Sequence, residues 1–373
     1  MRRNQRRFVV LGAALASALV PLTLIAPFTA STSGASSDVV NVVGYSIVKN
    51  AFSALESGFE NTNAGSGVSF TNSFGASGTE ATNVANGQAA DFVNLSLTPD
   101  LTTLVNAGKV AGNWAQQEVH YGLLPSSATK RAKILVDLTP GILTDSVVVF
   151  VVRKGNPLNI KSWSDLTKKG VQIVTPDPRS SGSAKWNLLA AYVAGYGHSH
   201  SDSYAQGFLE EVLKNVISQP SSGSTALSSF VAGTGNVLLA YESDANGAVA
   251  AGQPVQIVTP SSSVVIQNPA ALTLSGQNNP GAVAFYKYVF SPAGQAILAR
   301  LGYRSVLKTI ANDPVFAKDF TKVPNLETVY NINPKGWVVV NGEFFSPNVA
   351  FGAKSKVYPT QGIVTYWEQQ TGH

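Results

Sequence analysis

The sequence contains no cysteine. That excludes disulfides, thiolate metal sites, a cysteine nucleophile and a lipid-modified cysteine anchor. Histidine is scarce, with 4 residues in 373. His198 and His200 stand two apart in a polar loop, without the ligand spacing of a metal site, so no metal is expected. His373 is terminal, which leaves His120 as the one candidate base for a Ser-His-Asp arrangement. No catalytic residue and no cofactor are expected. Charge is sparse as well, at 13% of residues. The formal net charge is +5, but Arg2, Arg3, Arg6 and Arg7 supply four of those charges, and without them the balance falls to +1. A nucleic-acid partner recruited by global charge is therefore not expected.

What is present begins with Met1-Arg-Arg-Asn-Gln-Arg-Arg7, a basic head. An apolar run from Phe8 to Pro27 follows, broken by Pro21, and then small residues at Phe28-Thr-Ala30 and Gly34-Ala35. This is the pattern of a secretory signal, with residues 1–37 read as signal and flexible spacer. The run is also long enough for an uncleaved anchor. No later segment has the length to span a membrane. The protein is expected to be exported, periplasmic or extracellular. A hydrophobic content of 44% can build real cores, and 373 residues suit two lobes.

Along the chain, Val39–Tyr45 reads as a strand, and Val48–Asn61 has the apolar spacing of a helix. Gly67–Phe74 alternates as a strand, a helix follows through Val84, and Ala90–Leu95 is the next strand. That β-α-β-α-β order implies a parallel sheet with right-handed crossovers. Ser146–Arg153 is an apolar run closed by a basic residue, which predicts a central strand crossing between lobes. Ser162-Trp-Ser-Asp165 reads as a helix start, and Gln206–Asn215 as a helix. Val237–Tyr241 is a short buried strand. Val255–Thr259 and Val264–Gln267 return toward the first lobe. Pro280–Leu301 reads as a single helix, and the aromatic tail from Asn331 is expected to pack on the surface. The expected division is 38–147 plus 258–373 for one lobe and 148–257 for the other, each an α/β layer around a sheet, with a hinged cleft between them.

Three small-residue segments stand where strands give way to helices. They are Ser73-Phe-Gly-Ala-Ser77-Gly78, Ser181-Gly182-Ser183 and Ser221-Ser-Gly223-Ser-Thr225. A helix start carries up to four N–H groups without intrahelical partners and the positive end of the helix dipole. Small side chains let an anion reach those donors. Each segment is also what an ordinary capped helix needs. Ser77 is not a nucleophile elbow, because the position that would need Gly is Thr79. Tyr241, at the end of a buried strand, offers either a hydroxyl to a cleft or a satisfied core phenol.

From about Val39 to Leu307 the chain resembles the periplasmic sulfate- and thiosulfate-binding proteins of ABC importers. Val151-Val-Arg-Lys-Gly-Asn-Pro157 is similar to that family's F-L-V-R-K-G-N-P. Ile173-Val-Thr-Pro-Asp-Pro-Arg-Ser-Ser-Gly-Ser-Ala-Lys-Trp-Asn187 is similar to I-T-P-N-P-K-T/S-S-G-G-A-R-W-N. Ser73–Gly78 resembles S-H-G-G-S-G, Leu239–Ala245 resembles I-A-W-E-N-E-A, and Tyr288–Gln295 resembles Y-L-Y-S-P-E-G-Q. The resemblance implies a type II periplasmic-binding-protein-like fold, two lobes joined by two crossover strands. It also implies an oxyanion held by uncharged donors. Those donors are the Ser46 amide, the Ser77 and Ser181 hydroxyls, the Gly182, Ser183 and Gly223 amides, and a group at position 241. There the family has Trp and this chain has Tyr241. Ser46-Ile47 replaces the family's Asp-Pro, and Ser183 its second Gly.

Sulfate carries no proton at neutral pH and only accepts hydrogen bonds, so a site of donors without a carboxylate suits it. Asp177 and Asp145 lie near in sequence and would alter this by facing the cleft. The function expected is capture of sulfate and delivery to a membrane ABC permease, by a monomer. The alternatives are another oxyanion (thiosulfate, phosphate or molybdate), a cell-surface structural protein, or a hydrolase using Ser77 or Ser181.

Overall fold

β-α-β-α-β order in the sequence becomes three parallel strands at one end of an eleven-stranded sheet in the computed structural model, which describes residues 38–136, 139–347 and 361–373. The signal and spacer read over 1–37 lie outside the described residues. The three strands are β1 (Val39–Tyr45), β2 (Ser69–Gly75) and β3 (Phe92–Asn94). Numbering only helices of nine residues or more, α1 (Lys49–Glu60) and α2 (Ser77–Ala85) connect them, and α3 (Thr98–Asn106) follows. Apolar spacing on α1 places Phe52 and Phe59 inward. Phe52, Phe92 and Phe285 meet with ring centroids 5.6–6.2 Å apart, in tilted and edge-on geometry.

The apolar run ending at Arg153 lies in the long strand β4 (Ile142–Arg153), which is buried on both faces. Val148, Phe150 and Val152 enter one core and Val147, Val149 and Val151 the other, as a period of two dictates. Next come β5 (Ile173–Val174), α4 (Gly182–Ser199), α5 (Asp202–Lys214), β6 (Val216–Ser218) and α6 (Gly223–Val231). The chain continues through β7 (Val237–Tyr241), α7 (Glu242–Ala250), β8 (Val255–Val258) and β9 (Ser262–Leu272). The sheet order is β2-β1-β3-β9-β4-β7-β5-β6. β4 changes partners midway: Ile142–Val147 lie against β9, and Val148–Arg153 against β7 and β8. β9 in turn reaches β3 through Ala270–Leu272. Two strands thus run through the middle of the sheet.

The single helix expected over 280–301 is two: α8 (Pro280–Val289) and α9 (Pro292–Arg300). Ser291 breaks it. Its hydroxyl accepts the Gly294 N–H at 3.3 Å, and Pro292, which has no N–H to lose, opens the second helix. β10 (Arg304–Ser305) pairs with β4 and β11 (Asn325–Glu327) with β9.

The aromatic tail does more than cover a surface. α10 (Trp337–Phe345) and α11 (Ile363–Thr371) bury Trp337, Val340, Phe344, Ile363 and Val364. Trp337 meets Trp186 edge-on at 4.8 Å, and Phe344 meets Tyr192 at 4.8 Å. Lys185 donates to Asn341 Oδ1 at 2.9 Å and Gln219 to Glu368 Oε1 at 2.6 Å. The tail therefore holds the first turn of α4 and the loop before α6. Among the described residues no helix is long and apolar enough to cross a membrane.

Candidate functional site

α4 begins at the end of β5, after the turn that Thr175–Ser181 makes. Its N-cap residue, Ser181, has extended backbone angles (φ −105°, ψ 120°) but makes no side-chain capping bond. Its hydroxyl instead pairs with Ser183 Oγ at 2.8 Å. The Gly182 and Ser183 amides open an 18-residue helix with its dipole directed at them. Ser181 and Ser183 are 3% and 4% exposed. The space around Gly182 is full: a Cβ there would stand 2.5 Å from the Ser96 Cβ. Glycine is required by close approach, since its φ is not in the left-handed region.

α2 also starts without a side-chain cap, after Ala76. Ser77, 2% exposed, donates to Asp100 Oδ2 at 2.5 Å and accepts the Ser96 N–H at 2.8 Å. The Gly78 N–H reaches the Ser180 carbonyl at 3.0 Å, tying the α2 start to the α4 start. The third helix start is built differently. Ser222 caps α6 through a reciprocal box with Thr225. The Ser224 N–H is taken by Ser46 Oγ at 3.3 Å. A Cβ on Gly223 would meet Ile47 Cδ1 at 2.6 Å and Ser183 Oγ at 3.1 Å, so the α6 and α4 starts also adjoin. A cavity of about 490 Å³ opens beside Ser46, Ile47, Ser222, Ser224 and Asp244.

Tyr241 ends β7 and is fully buried, with its ring 6.1 Å from that of Tyr45. Its hydroxyl lies close to Ser96 and Asn268, yet no hydrogen bond of ordinary geometry reaches it from the described residues. Burial pushes the phenol well above its usual range, so it stays neutral. The structure links the seven residues singled out in the sequence through a chain of neighbouring contacts. Gly182 and Ser77 share Ser96, Ser183 adjoins Gly223, Ser46 holds α6, and Tyr241 stands beside Ser96 and Asn268.

Three residues here carried no sequence signal. Ser96 is a hub: its N–H goes to Ser77, and its carbonyl accepts Trp186 Nε1 at 2.9 Å and Asn268 Nδ2 at 3.0 Å. Asn268, on β9, also accepts Tyr45 Oη at 3.0 Å. Asp100, in the first turn of α3, brings a carboxylate to Ser77, where the sequence led us to expect donors alone. Burial pushes its carboxyl up and pushes the Lys185 ammonium down. Each charge favours the other, and the pair carries no net charge when both are ionised. Asp177 turns elsewhere, pairing with Arg179 at 2.8 Å. Among the described residues no group of three or more His, Asp or Glu is placed to hold a metal.

An arrangement of uncapped helix starts, glycines at close approach and neutral hydroxyls can surround a small anion with donors. Residues 40–304 match the family described as bacterial extracellular solute-binding protein. A sulfate-binding protein of Synechococcus elongatus is 31% identical over 350 residues, 91% of this chain and 94% of the relative. A sulfate-binding protein of Salmonella typhimurium is 33% identical over 302 residues, 78% and 84% of the two chains. The structure of the sulfate-binding protein SubI from Mycobacterium tuberculosis superposes with a TM-score of 0.72 at 36% identity, covering 81% of this chain and 98% of that one. The fold is the type II periplasmic-binding-protein-like fold, a central sheet flanked by helices. The chain belongs to the bacterial extracellular solute-binding protein family.

Proposed function

We propose that this protein is the exported binding component of an ABC importer, capturing sulfate and delivering it to a membrane permease. The observation that carries the proposal is the meeting of the α2, α4 and α6 starts around buried small residues. Ser46, Ser77, Ser181, Gly182, Ser183, Gly223 and Tyr241 are its binding residues. Neutral donors replace the water shell of the dianion and disperse its charge over helix dipoles and hydroxyls. The names of the relatives support sulfate as the ligand.

Of the described residues, those within 38–147 and 258–373 form one lobe and those within 148–257 the other. They hinge on β4 and β9, the strands that cross the middle of the sheet, and the C-terminal helices brace the second lobe. Opening at that hinge releases the anion without breaking an ion pair to it. No step of this function requires catalysis, and the protein acts as a monomer.

Calorimetric titration of the purified protein tests the reading. Sulfate is expected to bind at one site per chain. Sulfate at about a hundred times Kd is expected to add about 2.7 kcal/mol of stability, seen as a raised Tm. Absence of both binding heat and a raised Tm overturns it. The reading as a binder of another oxyanion has one specific observation in its favour, the phenol at position 241.

A further inference from the structure

A second cleft lies at the other end of α4 from the proposed anion site. α4 has 18 residues, so Tyr196 stands about 20 Å along its axis from Gly182. The cleft holds about 880 Å³, within the size range of sites for small organic molecules. Tyr192 and Tyr196 on the last turns of α4 form one wall, with Asp202 at the start of α5. Ser262 on β9, Glu327 on β11 and Asn331 just beyond form the other. Parallel pairing of Asn325–Glu327 with Ser262–Val264 fixes that second wall.

The acidic groups here have no counter-charge. Asp202 and Glu327 both line the cleft, and among the described residues no Lys or Arg does. Neither carboxylate has an ion pair with a described residue. Asp202 Oδ1 accepts the Tyr192 hydroxyl at 2.7 Å. Burial, that bond and the neighbouring Glu343 push the Tyr192 phenol well above its usual range, so it stays neutral and holds Asp202 in place. Glu327 is half-buried.

α4 adds to the same field. It ends at His200, in the left-handed conformation (φ 52°), and its last turn opens on the cleft. The negative end of the helix dipole therefore faces the same space as the two carboxylates. Tyr196 is 42% exposed and stands edge-on to His200 with ring centroids 5.9 Å apart. The face of such a ring attracts a cation.

We propose that this cleft binds a small organic cation, an aliphatic diamine in its diammonium form. Asp202 and Glu327, on different walls, each take one ammonium group, and Tyr196 packs on the chain between them. Ser262 and Asn331 supply oxygen acceptors for the remaining N–H groups. A metal ion is a poorer fit, since no group of three or more His, Asp or Glu converges among the described residues and the cleft is far larger than one ion. An anion would meet two carboxylates and the wrong end of a helix. The inference does not depend on what binds at the start of α4.

The test titrates the full exported protein with butane-1,4-diammonium chloride by calorimetry at pH 8, where free imidazole is uncharged. Butane-1,4-diol, the neutral molecule of the same length, is titrated beside it. The diammonium ion is expected to bind at one site per chain with Kd below about 1 mM, and the diol is not expected to bind. Glu327→Gln should weaken the diammonium ion about tenfold, as for loss of a hydrogen bond between charged groups. Glu327→Asp, which keeps the charge, should recover much of that loss. Tyr196→Ala should weaken it about threefold. Glu211→Gln removes the same charge nine residues along α5 from Asp202 and should leave the affinity unchanged. Thermal unfolding of each variant checks the fold. The proposal falls if the diammonium ion does not bind, or if Glu211→Gln costs as much as Glu327→Gln. It also falls if the diol binds equally well, since the cleft would then be a site for polyols.

Discussion

Gly182 lies against Ser96 so closely that a Cβ built on residue 182 falls 2.5 Å from the Ser96 Cβ and 2.8 Å from Leu97 Cδ2. Ser96 is fixed by hydrogen bonds from Trp186 and Asn268 and to Ser77, so it has little freedom to yield. Gly182→Ala is therefore expected to push the α4 start away from the α2 start and weaken sulfate binding at least tenfold. Gly223→Ala makes a useful contrast. Its Cβ would meet the end of the Ile47 side chain at 2.6 Å, and an isoleucine methyl rotates away more cheaply than a fixed Cβ. The loss at 223 should be several times smaller. Calorimetry on the two variants decides, and equal losses would remove the argument from close approach.

Ser77 and Asp100 form the second testable pair. Ser77→Ala strips the carboxyl of its donor and leaves the buried Ser96 N–H without an acceptor. About 1–3 kcal/mol of stability should be lost, read as a lower midpoint in urea. Asp100→Asn keeps an oxygen for the Ser77 hydroxyl and removes a negative charge beside the anion site. Sulfate should bind it more tightly than the wild-type protein, and the gain should shrink in high salt. A weaker affinity in Asp100→Asn would mean that the carboxylate orients Ser77 more than it repels the ligand.

How much of this was legible in the sequence follows from the kind of signal each residue leaves. The helix start at Ser181-Gly182-Ser183 was legible because small residues stand between a buried strand and a long apolar helix, a pattern that an ordinary capped helix shares. β4 was legible because burial on both faces produces an unbroken apolar run. Asp100 was not, since an acid in the first turn of a helix is ordinary, and its contact with Ser77 depends on how two helices meet. Ser96 and Asn268 act through a backbone carbonyl and a core amide, which leave no pattern. The break at Ser291 was masked because apolar spacing runs on through both α8 and α9. The docking of the tail onto α4 rests on aromatic pairs far apart in sequence, such as Trp186 with Trp337.

Trp186 and Asn268 converge on one acceptor, the Ser96 carbonyl, and that predicts non-additive energetics. Trp186→Phe removes one donor but leaves the carbonyl bonded to Asn268 Nδ2. A cost of about 1–2 kcal/mol is expected from the lost bond and lost packing against Trp337. Asn268→Ala should cost about 1–3 kcal/mol, because the buried Tyr45 hydroxyl loses its acceptor. In the double variant the carbonyl is orphaned, so the combined loss should exceed the sum of the single losses. A double-mutant cycle by denaturant unfolding measures the excess. Strict additivity would show that the two donors do not share the carbonyl's satisfaction.

Glu368 gives a prediction in pH. It sits on α11, 5% exposed, and accepts from Gln219. Burial raises its carboxyl from 4.5 to about 7, Asp177 adds to the rise, and Gln219 and Arg179 oppose it. The folded state therefore holds this proton at pH values where the unfolded chain has released it. Stability from this group is present below about pH 4.5 and is lost as pH rises through about 7, then levels off. The loss is on the order of 1–3 kcal/mol, since each tenfold change in proton affinity is worth about 1.4 kcal/mol and residual solvent access lowers the total. Glu368→Gln keeps an oxygen for Gln219 and has nothing to ionise. Glu56 and Glu118 are raised in the same direction, so the wild-type curve alone does not isolate the effect. The difference between wild-type and Glu368→Gln unfolding free energies does. That difference should grow in favour of the variant from about pH 4.5 to about pH 7 and stay constant above. A difference independent of pH would mean that Glu368 remains ionised in its place between α11 and the loop before α6.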